Sequence, residues 1–136
     1  MKPKRVVIVV IALFLASIIA GTIQATPIEG ISEAKRTALG IAVSTPVGLL
    51  VFGIVGSNFD LDGYIDDRSG AAKFGDLVFV EFAAIIVGLG LAAAFEGMLG
   101  ATAGWVGAGA GYLAAFTTFM WRANDYLNDP NVEDDE

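Results

Sequence analysis

The chain reads as an all-α integral membrane protein, a helical bundle of four spans, on three observations. Hydrophobic residues fill 55% of the 136 positions and charged residues only 17%, a charged share below that of an ordinary soluble domain. The charges are also segregated, gathering at 2–5, 29–36, 60–76 and 125–136. Finally, residues 77–120 form one apolar stretch in which only Glu81 and Glu96 are charged. As a single helix it would be about 66 Å long, roughly twice a bilayer's hydrocarbon core. Glu96-Gly97 near its middle supplies a charge and a helix breaker for a turn at the interface. The expectation is a tight hairpin of membrane helices over 77–95 and 98–120.

In chain order, the basic cluster 2–5 is followed by an apolar run over 6–20 and small residues up to Ala25. A charged start, about 15 apolar residues and a small residue at the cut fit a secretory signal peptide over 1–25. The same stretch fits a first membrane helix that stays attached. Both readings stand, giving four spans with it and three without. Residues 26–36 read as a short polar connector, where Thr26, Pro27 and Glu29 have the types of a helix start and Ser32 offers a second cap. Residues 37–57 form a membrane helix containing Pro46, which lipid-embedded helices tolerate when neighbouring groups satisfy the freed carbonyl; a kink is expected there. An acidic inner loop over 58–76 leads into the hairpin. The acidic tail 121–136 opens with a membrane-exit belt of Trp121, Arg122 and Tyr126 and closes in a run of carboxylates of disordered type.

Orientation follows from the basic residues. With four spans, Lys2, Lys4, Arg5, Arg68, Lys73 and Arg122 fall on one side and only Lys35 and Arg36 on the other. The excess marks the inner side, which places both termini of this integral membrane protein on that side if the first segment is retained.

Every span carries small residues four apart, and therefore on one face. The rows are Ala12, Ala16 and Ala20; Gly40, Ser44 and Gly48; Ala84, Gly88 and Ala92; and Gly100, Gly104 and Ala108, beside Ala103, Gly107, Gly111 and Ala115. Lipid gives helices no hydrophobic reason to associate, so close backbone packing has to contribute. Gly48, Gly88, Gly100, Gly104, Gly107 and Gly111 are the expected packing residues. The doubled face of the last span offers more groove than one intramolecular partner fills, which predicts contact with a second copy or another membrane protein.

The chain has no Cys and no His, which removes disulfides, thiol nucleophiles, Ser-His-Asp chemistry, ordinary zinc sites and His-ligated haem. Fifteen acidic against eight basic residues give a net charge of −7 and disfavour nucleic acid, whose phosphates need clustered Lys and Arg. A non-enzymatic protein without a cofactor is expected. One stretch carries possible ion chemistry. Asn58, Asp60, Asp62 and Asp66, with Gly63 at the turn position, are similar to the calcium loop of EF-hand and dockerin-type modules. Asn stands at the first position and Ser69 where a bidentate carboxylate belongs, so weak calcium binding at most is implied. The alternative is an acidic solvated turn. Glu81, one turn into its span, has three readings: it snorkels, pairs with Lys73 or Arg122, or lines an ion path. Glu96 reads as the turn residue.

The acidic excess and carboxylate-rich tail suit proteins of high-salt habitats. The basic start 2–5, four closely spaced apolar runs and the charged end 124–136 resemble small multi-span membrane proteins of haloarchaea and their viruses. In particular, the layout resembles the internal membrane protein of haloarchaeal pleomorphic viruses. That resemblance implies a structural role, a densely packed protein lining the inner face of a lipid envelope and associating with itself. The hairpin alone also resembles the capsid protein of spindle-shaped viruses. Two other expectations fit the same sequence: a holin-like or pore-forming protein, and an accessory subunit of a larger membrane complex.

Overall fold

The computed structural model describes residues 2–56 and 58–128, and over them the chain is helical, with no strand. Helix α1 spans Pro3–Ala25, with proline in the first turn where its missing N–H is no loss. Helix α2 spans Glu33–Val55; the Ser32 hydroxyl caps it by accepting the Lys35 N–H at 3.3 Å, and Glu33 in its first turn suits the helix dipole. It runs through Pro46 without a break, and the Ser44 and Thr45 hydroxyls just before the proline donate to the Ile41 carbonyl. Short helix α3 covers Leu61–Asp67, capped by Asp60. Helix α4 spans Gly70–Leu99, capped by Ser69. A 3₁₀ turn at Gly100–Thr102 leads into α5, Ala103–Arg122, and a second 3₁₀ turn follows at Asn124–Tyr126.

Three apolar helical stretches are long enough to cross a membrane: α1, α2 and the 53-residue run Gly70–Arg122, which the Gly100–Thr102 turn divides into α4 and α5. At about 1.5 Å per residue, α1 and α2 are each about 34 Å long, the thickness of a bilayer core with modest tilt.

Several sequence boundaries are corrected. The turn falls at Gly100–Thr102, later than Glu96-Gly97, which stay inside α4. Gly100 sets it, because φ of +56° is a conformation that only glycine adopts freely. A glycine in mid-helix costs only about 1 kcal/mol and does not by itself break a long apolar helix. The helix that carries the span read as 77–95 begins seven residues, about two turns, earlier and ends four residues later. The acidic loop 58–76 is mostly helical, divided between α3 and the first turns of α4. The carboxylate run at the end of the tail lies outside the described residues.

The small-residue rows do most of the packing. On α5, a Cβ at Gly107 would meet the Gly88 carbonyl and the Ala92 backbone nitrogen, the latter at 3.0 Å; at Gly111 it would lie 2.6 Å from the Ala84 carbonyl oxygen. Rising numbers on α5 meet falling numbers on α4, so the two helices lie antiparallel with backbones nearly touching. The neighbouring row faces α2 instead: a Cβ at Gly104 would lie 2.6 Å from the Ala34 carbonyl oxygen. Helix α1 rests on α2, where a Cβ at Gly40 would lie 2.7 Å from the Ala20 carbonyl oxygen. Gly48 makes room for the Tyr112 ring. Gly100 is the exception among the expected packing residues, a turn former with nothing within 4 Å of its Cβ position. The groove argument for a second copy is also corrected, since both rows on α5 are filled within the chain, one by α4 and the other by α2.

The resulting core is built from small side chains, with Ala42, Leu49, Val80, Ala84 and Ala115 at its centre and Ile85, Phe116 and Phe119 against it. Large apolar side chains point outward: Phe14, Ile86 and Leu113 are each 65% exposed. In water this arrangement would expose the residues most costly to hydrate.

Candidate functional site

The charges meet at the end of the bundle that carries α3. Asp76 shares a face with Val80, Ala84, Gly88 and Ala92 at helical four-residue steps, which turns it inward, and it is only 1% exposed. Its two carboxylate oxygens take four hydrogen bonds from three residues on two helices, α3 and α5. Arg68, at the end of α3, donates from Nε to Oδ2 at 2.5 Å and from Nη2 to Oδ1 at 2.8 Å. Arg122, in the last turn of α5, donates from Nε to Oδ1 at 2.8 Å. The Tyr64 hydroxyl donates to Oδ2 at 2.8 Å. Arg68 Nη2 also donates to the Arg122 carbonyl at 3.0 Å, satisfying one of the orphan acceptors at the end of α5.

Rings enclose this knot. The Arg68 guanidinium lies 5.7 Å from the Tyr64 centroid and 6.0 Å from that of Tyr126; Arg122 sits 4.3 Å from the Phe79 centroid. Phe59, Tyr64, Phe119 and Tyr126 pack edge to face or tilted. Two backbone bonds, Asp60 N–H to the Tyr126 carbonyl at 2.8 Å and Asn128 N–H to the Asn58 carbonyl at 3.1 Å, tie the segment after α5 to the one before α3. Burial, then the bond to Asp76, pushes the Tyr64 phenol far above its ordinary range, so it stays a donor. The bond to Asp76 raises Arg68 further still.

This arrangement can fasten; it is poorly built to react. A carboxylate holding four donors has no lone pair turned toward a substrate, and the two cations leave the knot with one net positive charge. Its effect is to clamp α3 across the ends of α4 and α5.

The residues expected to bind an ion are placed otherwise. Helix α3 begins inside the proposed loop, which turns Asp60 into its cap and leaves Asp62 and Asp66 on the helix with no third ligand grouped with them among the described residues. Asp60 Oδ1 caps the helix by accepting the Gly63 N–H at 2.9 Å, Asp62 reaches Arg5 at 3.4 Å, and the Asn58 carbonyl is engaged by Asn128. Among the described residues no three acidic side chains are grouped so as to hold a metal. Glu81 pairs with neither Lys73, which donates to the Ile65 carbonyl at 2.6 Å, nor Arg122, and its Oε2 is buried without a hydrogen bond. Glu96 faces Lys35 at 4.0 Å across the opposite end of the bundle.

The sequence reading assigned Arg68 and Arg122 to orientation and Asp76 to a loop, and missed their meeting. No family model, curated protein or solved structure matches this chain.

Proposed function

We propose that this is a non-enzymatic structural membrane protein whose helices α1, α2, α4 and α5 each cross the bilayer once. The observation that carries the reading is the inverted distribution of size: alanine and glycine inside, and phenylalanine, leucine and isoleucine facing out along helices of membrane length. Small residues let backbones meet where lipid gives no hydrophobic drive, and large ones mix with acyl chains. With Arg5 reaching Asp62 and Lys35 reaching Glu96, the polar contacts divide between the two ends. Six of eight basic residues stand at the α3 end, which supports an inner location for it and for both termini. The close seat of Gly40 on Ala20 supports retention of α1 rather than its removal as a signal.

Surfaces open to self-association include the outward face of α4, where Gly90 and Gly97 have nothing within 4 Å of their Cβ positions, and that of α5 at Gly109. A shell-like role lining an envelope, as the haloarchaeal viral resemblance implies, uses such a lateral face. The packed alanine and glycine interior gives no support to a pore through one chain.

The native chain lacks cysteine, which makes topology directly measurable. Single substitutions Asp67→Cys and Glu29→Cys in intact membranes should react with an impermeant maleimide from opposite sides, Asp67→Cys from the inside only. Labelling of both from one side would overturn the four-span reading. Extraction of the protein into buffer without detergent would overturn the membrane reading altogether.

A further inference from the structure

We propose that the gap between α2 and α4 beside the charge knot is a binding site for the headgroup-proximal part of one acyl chain of a singly charged anionic phospholipid, the rest of the chain leaving through its open side and the phosphodiester held by Lys73. The inference rests on the membrane reading. The cavity measures about 170 Å³, close to the ~150 Å³ that holds a six-carbon ring in an apolar protein interior. Pro46, Leu49, Leu50, Leu77, Val80 and Phe119 provide its apolar wall, and Tyr64 and Lys73 stand with Asp76 at its polar end. Of its lining residues, Leu50 and Leu77 are 43% and 46% exposed. Both lie on faces that the bundle turns toward lipid, so the natural entrant is a hydrocarbon chain.

Lys73 supplies the charge complementarity. Its ammonium donates to the Ile65 carbonyl, pairs with no carboxylate among the described residues and keeps two further donors. Asp76, the nearest buried anion, is already neutralised by Arg68 and Arg122. Asp66 and Asp67, exposed on α3, directly follow Ile65, whose carbonyl Lys73 engages, and oppose a doubly charged phosphate more than a singly charged one, which favours a phosphodiester over a monoester. The site lies at the depth where headgroup and chain part, one turn into α4, so a lipid seated here keeps its phosphate at the interface.

The test uses the full chain reconstituted in vesicles of phosphatidylcholine containing a minor share of phosphatidylglycerol, then transferred to mild detergent for native mass spectrometry. The wild type should retain phosphatidylglycerol enriched over its share in the vesicle. Lys73→Ala should lower that enrichment about tenfold, the loss of one charge-assisted contact. Leu77→Trp, which plugs the mouth from a half-exposed position, should lower retention of both lipids, while free glycerol phosphate should compete poorly. Equal retention by wild type and both variants, or full displacement by glycerol phosphate, would overturn the site. Thermal unfolding in the same detergent verifies that each variant is folded. A chain that disperses without detergent would instead sink the membrane reading itself.

Discussion

Replacing Asp76 with alanine is expected to lower stability by about 3–5 kcal/mol, the usual cost of removing one partner from a buried ion pair. The reason is what stays behind. Arg68 and Arg122 would face each other across an emptied site, 14% and 23% exposed at their side chains, with three hydrogen-bond donors and one phenol unmatched. Asp76→Asn should recover part of the loss by accepting hydrogen bonds without the charge. Replacing Asp76, Arg68 and Arg122 together with apolar residues should recover more, because no uncompensated charge is then left. The control is Asp62→Ala, which breaks the exposed pair with Arg5 at 3.4 Å and should have almost no effect. Unfolding of the purified protein in mixed micelles, followed by tryptophan fluorescence as a denaturing detergent is added, reads all four. Equal midpoints for Asp76→Ala and Asp62→Ala would show that the knot fastens nothing.

The knot was within reach of the sequence. Asp76 and Arg122 each stand 23 residues from Leu99, so an antiparallel pair of helices turning at Leu99-Gly100 brings them level. The small residues say the same to within one position: Ala84, Gly88 and Ala92 mirror Ala115, Gly111 and Gly107 about the bond between Leu99 and Gly100. Placing the turn at Glu96-Gly97 shifts the mirror and sets Asp76 opposite Thr117, which hides the pair. The misplacement came from giving a charge and a mid-helix glycine more weight than the register of two small-residue rows. Helix class was legible because apolar length and charge segregation are properties of the chain itself. The contribution of α3 was less so. Its seven residues, with four carboxylates in and around them, are too short for the i, i+3, i+4 spacing of Leu61, Tyr64 and Ile65 to stand out, and their helix depends on Asp60 as a cap and on Tyr64 and Arg68 finding Asp76, a contact only the fold supplies. The acidic spacing that resembles a calcium loop is used here to start a helix.

Gly107→Leu and Gly109→Leu, two residues apart on one helix, are expected to differ by about 3 kcal/mol or more. At Gly107 any Cβ runs into the Gly88 carbonyl and the Ala92 backbone. Overpacking against side chains costs about 1–3 kcal/mol because rotamers give way; here the obstacle is main chain on a second helix, so α4 and α5 must separate along their shared face. The shift would carry Asp76 away from Arg122 and weaken the knot as well. At Gly109 nothing lies within 4 Å of the Cβ position. A leucine there joins Trp105 and Leu113 on the outward face and gains up to about 1 kcal/mol of helix propensity by removing a glycine. Both variants should still insert, since leucine is at least as lipophilic as glycine. The same detergent titration reads the contrast, and cross-linking in the membrane adds the intermolecular side. Loss of oligomers in Gly109→Leu with stability intact would place a neighbouring copy on α5, whereas loss in a Gly90→Leu variant would place it on α4. A stable Gly107→Leu protein would mean that α4 and α5 do not meet backbone to backbone, and with that contact the mirror about Leu99 would lose its physical basis.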